Sequence, residues 1–232
     1  MIVPTKGRPE NAERLLHAVN QTAGDELGRL VFATDSSEPL AEAYQRIVPV
    51  DGANWDWVRI FPVTAKPQRM GPVLNTVASL FAAQGKYTHI VFMGDDHVPR
   101  TSNWDEELVR SLGGKPGVAY GNDLAQGEKL PTACVISADI IRSLGYMCPP
   151  AQEHLYLDDF WKTLGCSTRL VYRNDVVIEH LHPNYGKARW DEGYAAANST
   201  DQYAKDQHAY SDFMTGRWLA DRARLKKDLG LD

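Results

Sequence analysis

Apolar positions along this chain fall into short runs separated by stretches with helical spacing. Runs rich in β-branched residues occupy positions 30–34, 57–61, 88–93, 118–120, 130–137, 168–172 and 176–180, and a shorter one opens the chain at Ile2 and Val3. Apolar runs of this length, without strict alternation, read as strands covered on both faces. Pro62 is expected to close the run at 57–61, since proline cannot donate to a ladder. Between the runs, Ala12, Leu15, Leu16 and Val19 share one helical face, as do Val73, Val77 and Leu80. Helical patterns also cover 103–109 and 154–165, and a short helix at 138–144 stops at Gly145. Strands alternating with helices predict an α/β fold, with a central sheet flanked by helices.

After Pro183 the pattern changes. Residues 184–214 are polar and aromatic, with Tyr185, Trp190, Tyr194, Tyr203 and Tyr210, and show no clear core stripe. They predict a mobile or partly helical flap. Residues 217–229 form a basic amphipathic pattern whose Trp218, Leu225 and Leu229 would dock on the body; a membrane-surface or partner helix is the other reading. The expected division is a body at 1–183 and a C-terminal extension at 184–232.

Composition narrows the classes. The chain has 232 residues and is 43% hydrophobic, enough for one α/β domain with an extension. A formal charge of −5 gives no global attraction to nucleic acid and leaves a local basic groove open. Cys134, Cys148 and Cys166 lack metal-type spacing and read as reduced thiols. With Lys6 and Arg8 in the first residues and no apolar run long enough to cross a bilayer, a soluble cytoplasmic protein is expected.

The candidate chemistry sits at strand ends. The run at 88–93 stops at Gly94, and Asp95, Asp96 and His97 follow at once. Ligands of open α/β sheets gather beyond the carboxyl ends of strands; a solvated turn is the plainer alternative. The loop Pro4-Thr5-Lys6-Gly7-Arg8-Pro9 joins a strand to a helix and can hold an anionic group at the helix start. It lacks the spacing of a Walker loop or a Gly-x-Gly-x-x-Gly turn. Asp35 ends the second strand, where it can bond a ribose or base, or cap the next helix. Lys66 and Arg69 precede a helix that begins near Gly71. A phosphate is favoured there by charge and by free N–H groups, against the alternative of two solvated cations. Asp158 and Asp159 open a helix, where the helix dipole accounts for them structurally and base chemistry accounts for them functionally. His180 and His182 point to one face of an extended chain end.

In this order, the Pro4–Arg8 loop, Asp35, Arg69-Met70-Gly71 with Asn75, the Asp95-Asp96-His97 turn, the Asp158-Asp159 pair and the late histidine resemble the GT-A glycosyltransferases, particularly family 2-like enzymes. The resemblance covers roughly residues 1–183. It departs from the common pattern in having Asp-x-His for Asp-x-Asp and Asp-Asp for Glu-Asp. The resemblance implies a GT-A (Rossmann-like) fold with a mixed, mostly parallel sheet. It also implies a metal-dependent, inverting transfer of a sugar from a nucleotide-sugar, with UDP expected. Asp95 and His97, with His180 or His182, would hold Mn²⁺ or Mg²⁺, imidazole favouring Mn²⁺. Pro4, Thr5, Arg8, Asp35, Lys66, Arg69, Gly71 and Asp96 would bind the donor. Asp158 or Asp159 would be the base, with Asp159 expected because the second acid is the usual base in such enzymes. A sugar-phosphate nucleotidyltransferase and a non-catalytic nucleotide-binding module are the competing readings. The acceptor stays open among a saccharide, a lipid-linked group, a protein and a modified base in DNA.

Overall fold

The apolar runs form one mixed sheet in the computed structural model, which describes residues 1–25, 28–47, 58–64 and 69–231. Its strands are β1 (Ile2–Thr5), β2 (Leu30–Asp35), β3 (Val58–Val63), β4 (His89–Phe92), β5 (His97–Pro99), β6 (Val118–Asn122), β7 (Cys134–Ser137) and β8 (Leu170–His180). They lie in the order β3-β2-β1-β4-β7-β6-β8-β5. Among the described residues, β5 and β7 run against the other strands. β2 lies on one side of β1 and β4 on the other. The order therefore reverses between β1 and β4, and a crevice opens beyond their carboxyl ends.

Helices cover both faces because the strands are apolar on both. On one side pack α1 (Pro9–Thr22), α2 (Ala41–Gln45) and α4 (Trp104–Ser111). Leu15, Leu16, Tyr44, Trp104 and Leu108 are buried there against Val3, Phe32 and Val135. On the other side pack α3 (Met70–Ala83), α5 (Ala138–Leu144), α6 (Leu157–Ser167), α8 (Thr200–Thr215) and α9 (Arg217–Leu229), with α7 (Glu192–Ala197) leading into α8. Phe213, Trp218 and Leu225 join Phe160 and Trp161 in that second core. Each such side chain contributes about 1.5–3 kcal/mol by leaving water. The stretch after Pro183 thus has helical structure and ends in a docked amphipathic helix. No helix among the described residues is long and apolar enough to cross a membrane.

Several local expectations are corrected. β3 continues through Pro62 to Val63; it is the outer strand of the order, where a missing N–H on the free side costs no ladder bond. Trp57, expected in this strand, lies outside the described residues. Leu80 is 46% exposed; the buried face of α3 runs instead through Leu74, Val77, Ala78 and Phe81. The two runs at 168–172 and 176–180 are one strand, β8, interrupted by a bulge. Gly121 faces Arg173 while the next residue, Asn122, faces Val177. Glycine is required there, because a Cβ on residue 121 would stand 2.3 Å from the Val176 carbonyl oxygen.

Candidate functional site

The chain leaves β4, turns at Gly94 and enters β5 within a few residues. A Cβ at Gly94 would lie 2.7 Å from an Asp96 carboxylate oxygen, so a larger residue there would push that carboxylate from its place. β5 then pairs with β8 so that His97 stands opposite His180. Their rings stack with centroids 4.2 Å apart and 14° between planes. Asp96 bridges them: its Oδ1 is 3.2 Å from His97 Nδ1 and its Oδ2 is 3.3 Å from His180 Nε2.

Asp96 and His97 are buried, and ligand atoms of Asp96, His97 and His180 all lie within 4.8 Å of one another. Burial opposes charge on Asp96, yet bonding to His180 and His97 prevails and holds the carboxyl well below its ordinary value. Burial, with His180 nearby, lowers the pKa of His97 and favours the neutral imidazole a cation needs. The nitrogens that meet Asp96 are His97 Nδ1 and His180 Nε2; the other two, His97 Nε2 and His180 Nδ1, are buried without a hydrogen-bond partner, and His180 Nδ1 lies 4.0 Å from Asp123 Oδ2. Metal bonds of about 2.0–2.2 Å to nitrogen and oxygen require ligand atoms within about 4.4 Å of one another, so the three need only a small inward shift to share one divalent cation. The donor set fits the metal.

The grouping differs from the expected Asp95–His97 pair. Asp95 turns away from the histidines, accepts a 2.6 Å hydrogen bond from Thr5 Oγ1 and lies 3.5 Å from Arg8 Nη1. Burial and the adjacent Asp96 push its pKa up to about 6. His182 also stands outside the cluster; its Nδ1 accepts from the Asn184 backbone N–H, and its ring meets that of Tyr194 edge-on.

The remaining donor-side candidates spread around the β1–β4 crevice. Pro4 and Thr5 end β1, and the Thr5 hydroxyl also bonds Tyr44 Oη at 2.8 Å. Asp35 ends β2, where its Oδ1 accepts from the backbone N–H and hydroxyl of Ser37 and its Oδ2 meets Lys6 at 3.1 Å. Burial raises its pKa, but these bonds and Lys6 outweigh that and lower it. Arg69 is exposed at the start of α3, 3.7 Å from Glu153. Gly71 serves a packing need: a Cβ there would sit 2.2 Å from the Gln152 carbonyl oxygen. Asn75 accepts from the backbone N–H groups of Met147 and Cys148. Lys66 lies outside the described residues.

The acid pair occupies the first turn of α6, just after Tyr156, which adopts a left-handed φ of 63°. Burial, then the Asp159 charge, pushes Asp158 up to about 6, with His180 acting in the opposite direction. Asp159 is raised by burial, with Lys162 opposing. A residue that sequence reasoning missed positions this turn. Asp206 of α8 is fully buried and accepts from the backbone N–H groups of Glu153, His154 and Leu155.

Two further residues were missed, Asp191 and Tyr194. Asp191 accepts from Arg8 Nε at 2.8 Å and Nη2 at 2.7 Å. The Tyr194 hydroxyl donates to Asp96 Oδ2 at 2.8 Å, and its ring lies 3.8 Å from the Arg8 guanidinium carbon. Burial and Asp96 push the Tyr194 phenol up, which keeps it a donor. Its aromatic character was visible in the sequence; its partner was not.

No family model and no curated protein sequence matches the chain. Solved structures do. The mannosyltransferase PcManGT from Pyrobaculum calidifontis, in complex with GDP-Man and Mn²⁺, superposes with a TM-score of 0.60 at 13% identity, over 99% of this chain and 73% of that one. Glucosyl-3-phosphoglycerate synthase from Mycobacterium tuberculosis, in complex with phosphoglyceric acid, gives 0.53 at 13% identity, over 99% and 79%. S. aureus TarS 1–349 with UDP-GlcNAc gives 0.52 at 12% identity, over 99% and 78%; the chain spans 42% of a longer TarS chain. Likeness at such identity concerns architecture: this chain has the GT-A fold, a mixed, mostly parallel sheet flanked by helices.

Proposed function

We propose that this chain is a metal-dependent, inverting glycosyltransferase that moves a sugar from a nucleotide-sugar, with a UDP-sugar expected, to an acceptor hydroxyl. The observation that carries the reading is the buried grouping of one carboxylate and two imidazoles, Asp96, His97 and His180. Asp96 follows β4, one of the two strands of the switch point, where nucleotides bind in open α/β sheets. The fold shared with proteins solved with GDP-Man or UDP-GlcNAc supports the same reading.

Asp96, His97 and His180 would hold Mn²⁺ or Mg²⁺, which neutralises charge on a departing nucleoside diphosphate. Thr5, Arg8 and Asp35 would line the donor side, Asp35 accepting from the nucleoside and Arg8 meeting a phosphate. Asp95 fixes Thr5 and Arg8 in place rather than joining the metal. For the base, burial and the opposing influence of His180 favour Asp158, which keeps a carboxylate basic enough to take a hydroxyl proton near neutral pH. The acceptor oxygen loses that proton to Asp158 as it bonds the anomeric carbon, and the bond to the diphosphate oxygen breaks on the opposite face. One displacement inverts the configuration. Residues 184–232 would form the acceptor side.

The test is titration with UDP- and GDP-sugars, with and without Mn²⁺, following nucleoside diphosphate release. Binding with slow donor hydrolysis is expected. Absence of both for every common nucleotide-sugar overturns the reading, and pyrophosphate release from a nucleoside triphosphate plus a sugar phosphate would replace it with nucleotidyl transfer.

A further inference from the structure

We infer that residues 182–198 form a self-inhibitory latch, closed on the cation and anion groups of the site and displaced when those ligands bind. The inference rests on the proposed reading of Asp96, His97 and His180 as cation ligands and Arg8 as an anion ligand.

Two contacts make the latch, and both sit at the start of one short helix. The Tyr194 hydroxyl donates to Asp96 Oδ2. With His97 on Oδ1 and His180 on Oδ2, both oxygens of the central carboxylate are engaged. A cation needs a lone pair of that carboxylate, and the phenol proton competes for it. The second contact is the two-pronged bond from Arg8 to Asp191. A carboxylate on a guanidinium occupies the geometry a phosphate would take. An incoming anion must therefore displace Asp191.

The anchors at either end suit a hinged strap. On one side β8 fixes His180 in the site. On the other, α8 is pinned by the bonds of Asp206 to residues 153–155. Between them, Tyr185, Trp190 and residues 191–193 are exposed. Asp191 also caps α7 by accepting from the Tyr194 backbone N–H at 2.8 Å. The cap and the ion pair share one carboxylate, so loosening Arg8 loosens Tyr194 as well. Gly193 permits the closure: a Cβ there would stand 2.9 Å from Arg8 Nη2.

The chemistry allows clean variants. Tyr194→Phe keeps the ring on Arg8 and removes the competing proton. Asp191→Asn keeps a capping oxygen and weakens the pair with Arg8. Mn²⁺ affinity is measured by electron paramagnetic resonance, and amide hydrogen exchange is followed across 191–198, without ligand, with Mn²⁺, and with Mn²⁺ plus inorganic pyrophosphate.

Tyr194→Phe is expected to tighten Mn²⁺ binding about three- to tenfold, the worth of one hydrogen bond. Mn²⁺ should speed exchange across 191–198, and pyrophosphate should speed it further. Asp191→Asn should exchange faster even without ligand. Gly193→Ala, which crowds Arg8, should behave likewise and serves if Tyr194→Phe melts early. Slower exchange in the presence of ligands would mean the strap closes onto them and would overturn the latch. Unchanged or weaker Mn²⁺ binding by a folded Tyr194→Phe protein overturns it too, as does no Mn²⁺ binding by any form. No sugar nucleotide is used, so a working latch without sugar transfer overturns the function alone, and sugar transfer with an indifferent Tyr194→Phe overturns the latch alone.

Discussion

The two walls of the site are built on different principles. The wall of Thr5, Asp35, Asp95 and Asp96 comes from the ends of β1, β2 and β4. Each of these side chains is placed by a buried strand and is itself buried. The facing wall, from His182 to Asn198, is made of turns and the six-residue helix α7, and Trp190 within it is 54% exposed. The first wall is set by the core of the sheet; the second is held to it by a few polar bonds and by the Tyr194 ring on Arg8. On the proposed reading, such a division would place the chemistry on the scaffold and leave access to the loop side.

The sharpest way to break the comparison is at its sheet side. Asp96→Ala should abolish Mn²⁺ binding and lower sugar transfer by about 10³-fold, read by metal titration and turnover. Asp95→Ala should keep Mn²⁺ and raise the donor KM, because Thr5 and Arg8 lose their anchor. Equal metal loss in both would restore the expected Asp95 ligand. Next in size, Asp158→Asn should reduce kcat by about 10²–10³-fold with donor binding unchanged. Asp159→Asn should cost less than about tenfold, and the reverse order would name Asp159 as the base.

Asp206→Ala tests what supports the second wall. It would strip three backbone N–H groups of their acceptor, each costing about 1–3 kcal/mol when unsatisfied. A stability loss of about 3 kcal/mol is expected in urea unfolding, with transfer falling as the first turn of α6 shifts.

The smallest effect is a pH dependence at the same turn. Asp158 has a folded pKa of about 6 against an ordinary value of 3.8. A raised carboxyl favours the protonated folded state, so its contribution to stability is present at low pH and lost as pH rises from about 4 through about 6. Turnover should rise around pH 6, the folded pKa, as the base ionises. Asp159, His180, Tyr185 and Tyr210 share this surrounding. The difference between wild type and Asp158→Asn in unfolding free energy against pH isolates the one group. An identical slope in both would assign the dependence to Asp95, which is raised in the same direction.

Much of the sheet wall was legible in the sequence. Strands buried on both faces announce themselves as apolar runs, and acids at their ends stand out against them. Which of Asp95 and Asp96 faces the histidines was not legible. It is fixed by β5, a three-residue strand too short to show any period, which aims His97 at His180. Pro62 misled because its rule depends on whether a strand is interior or outermost. Asp206 looked like one polar residue among many on a helix, and its burial follows from a loop about fifty residues earlier. Tyr194 and Asp191 meet partners 98 and 183 positions away, a relation that no local pattern carries.

The bulge in β8 has one more consequence. His180 shares a face with Val176 and Ile178, both buried, and reaches that face only because the chain loops out between Arg173 and Val177. Alternation in a strand has period two. Removing one residue from 174–176, if the strand re-paired flush, would bring Ile178 to the station opposite His97 and carry His180 two positions past it. The count of residues in a surface irregularity is therefore part of the candidate site's specification, and a single-codon deletion there should disrupt the Asp96–His97–His180 grouping while leaving every one of its side chains in the sequence.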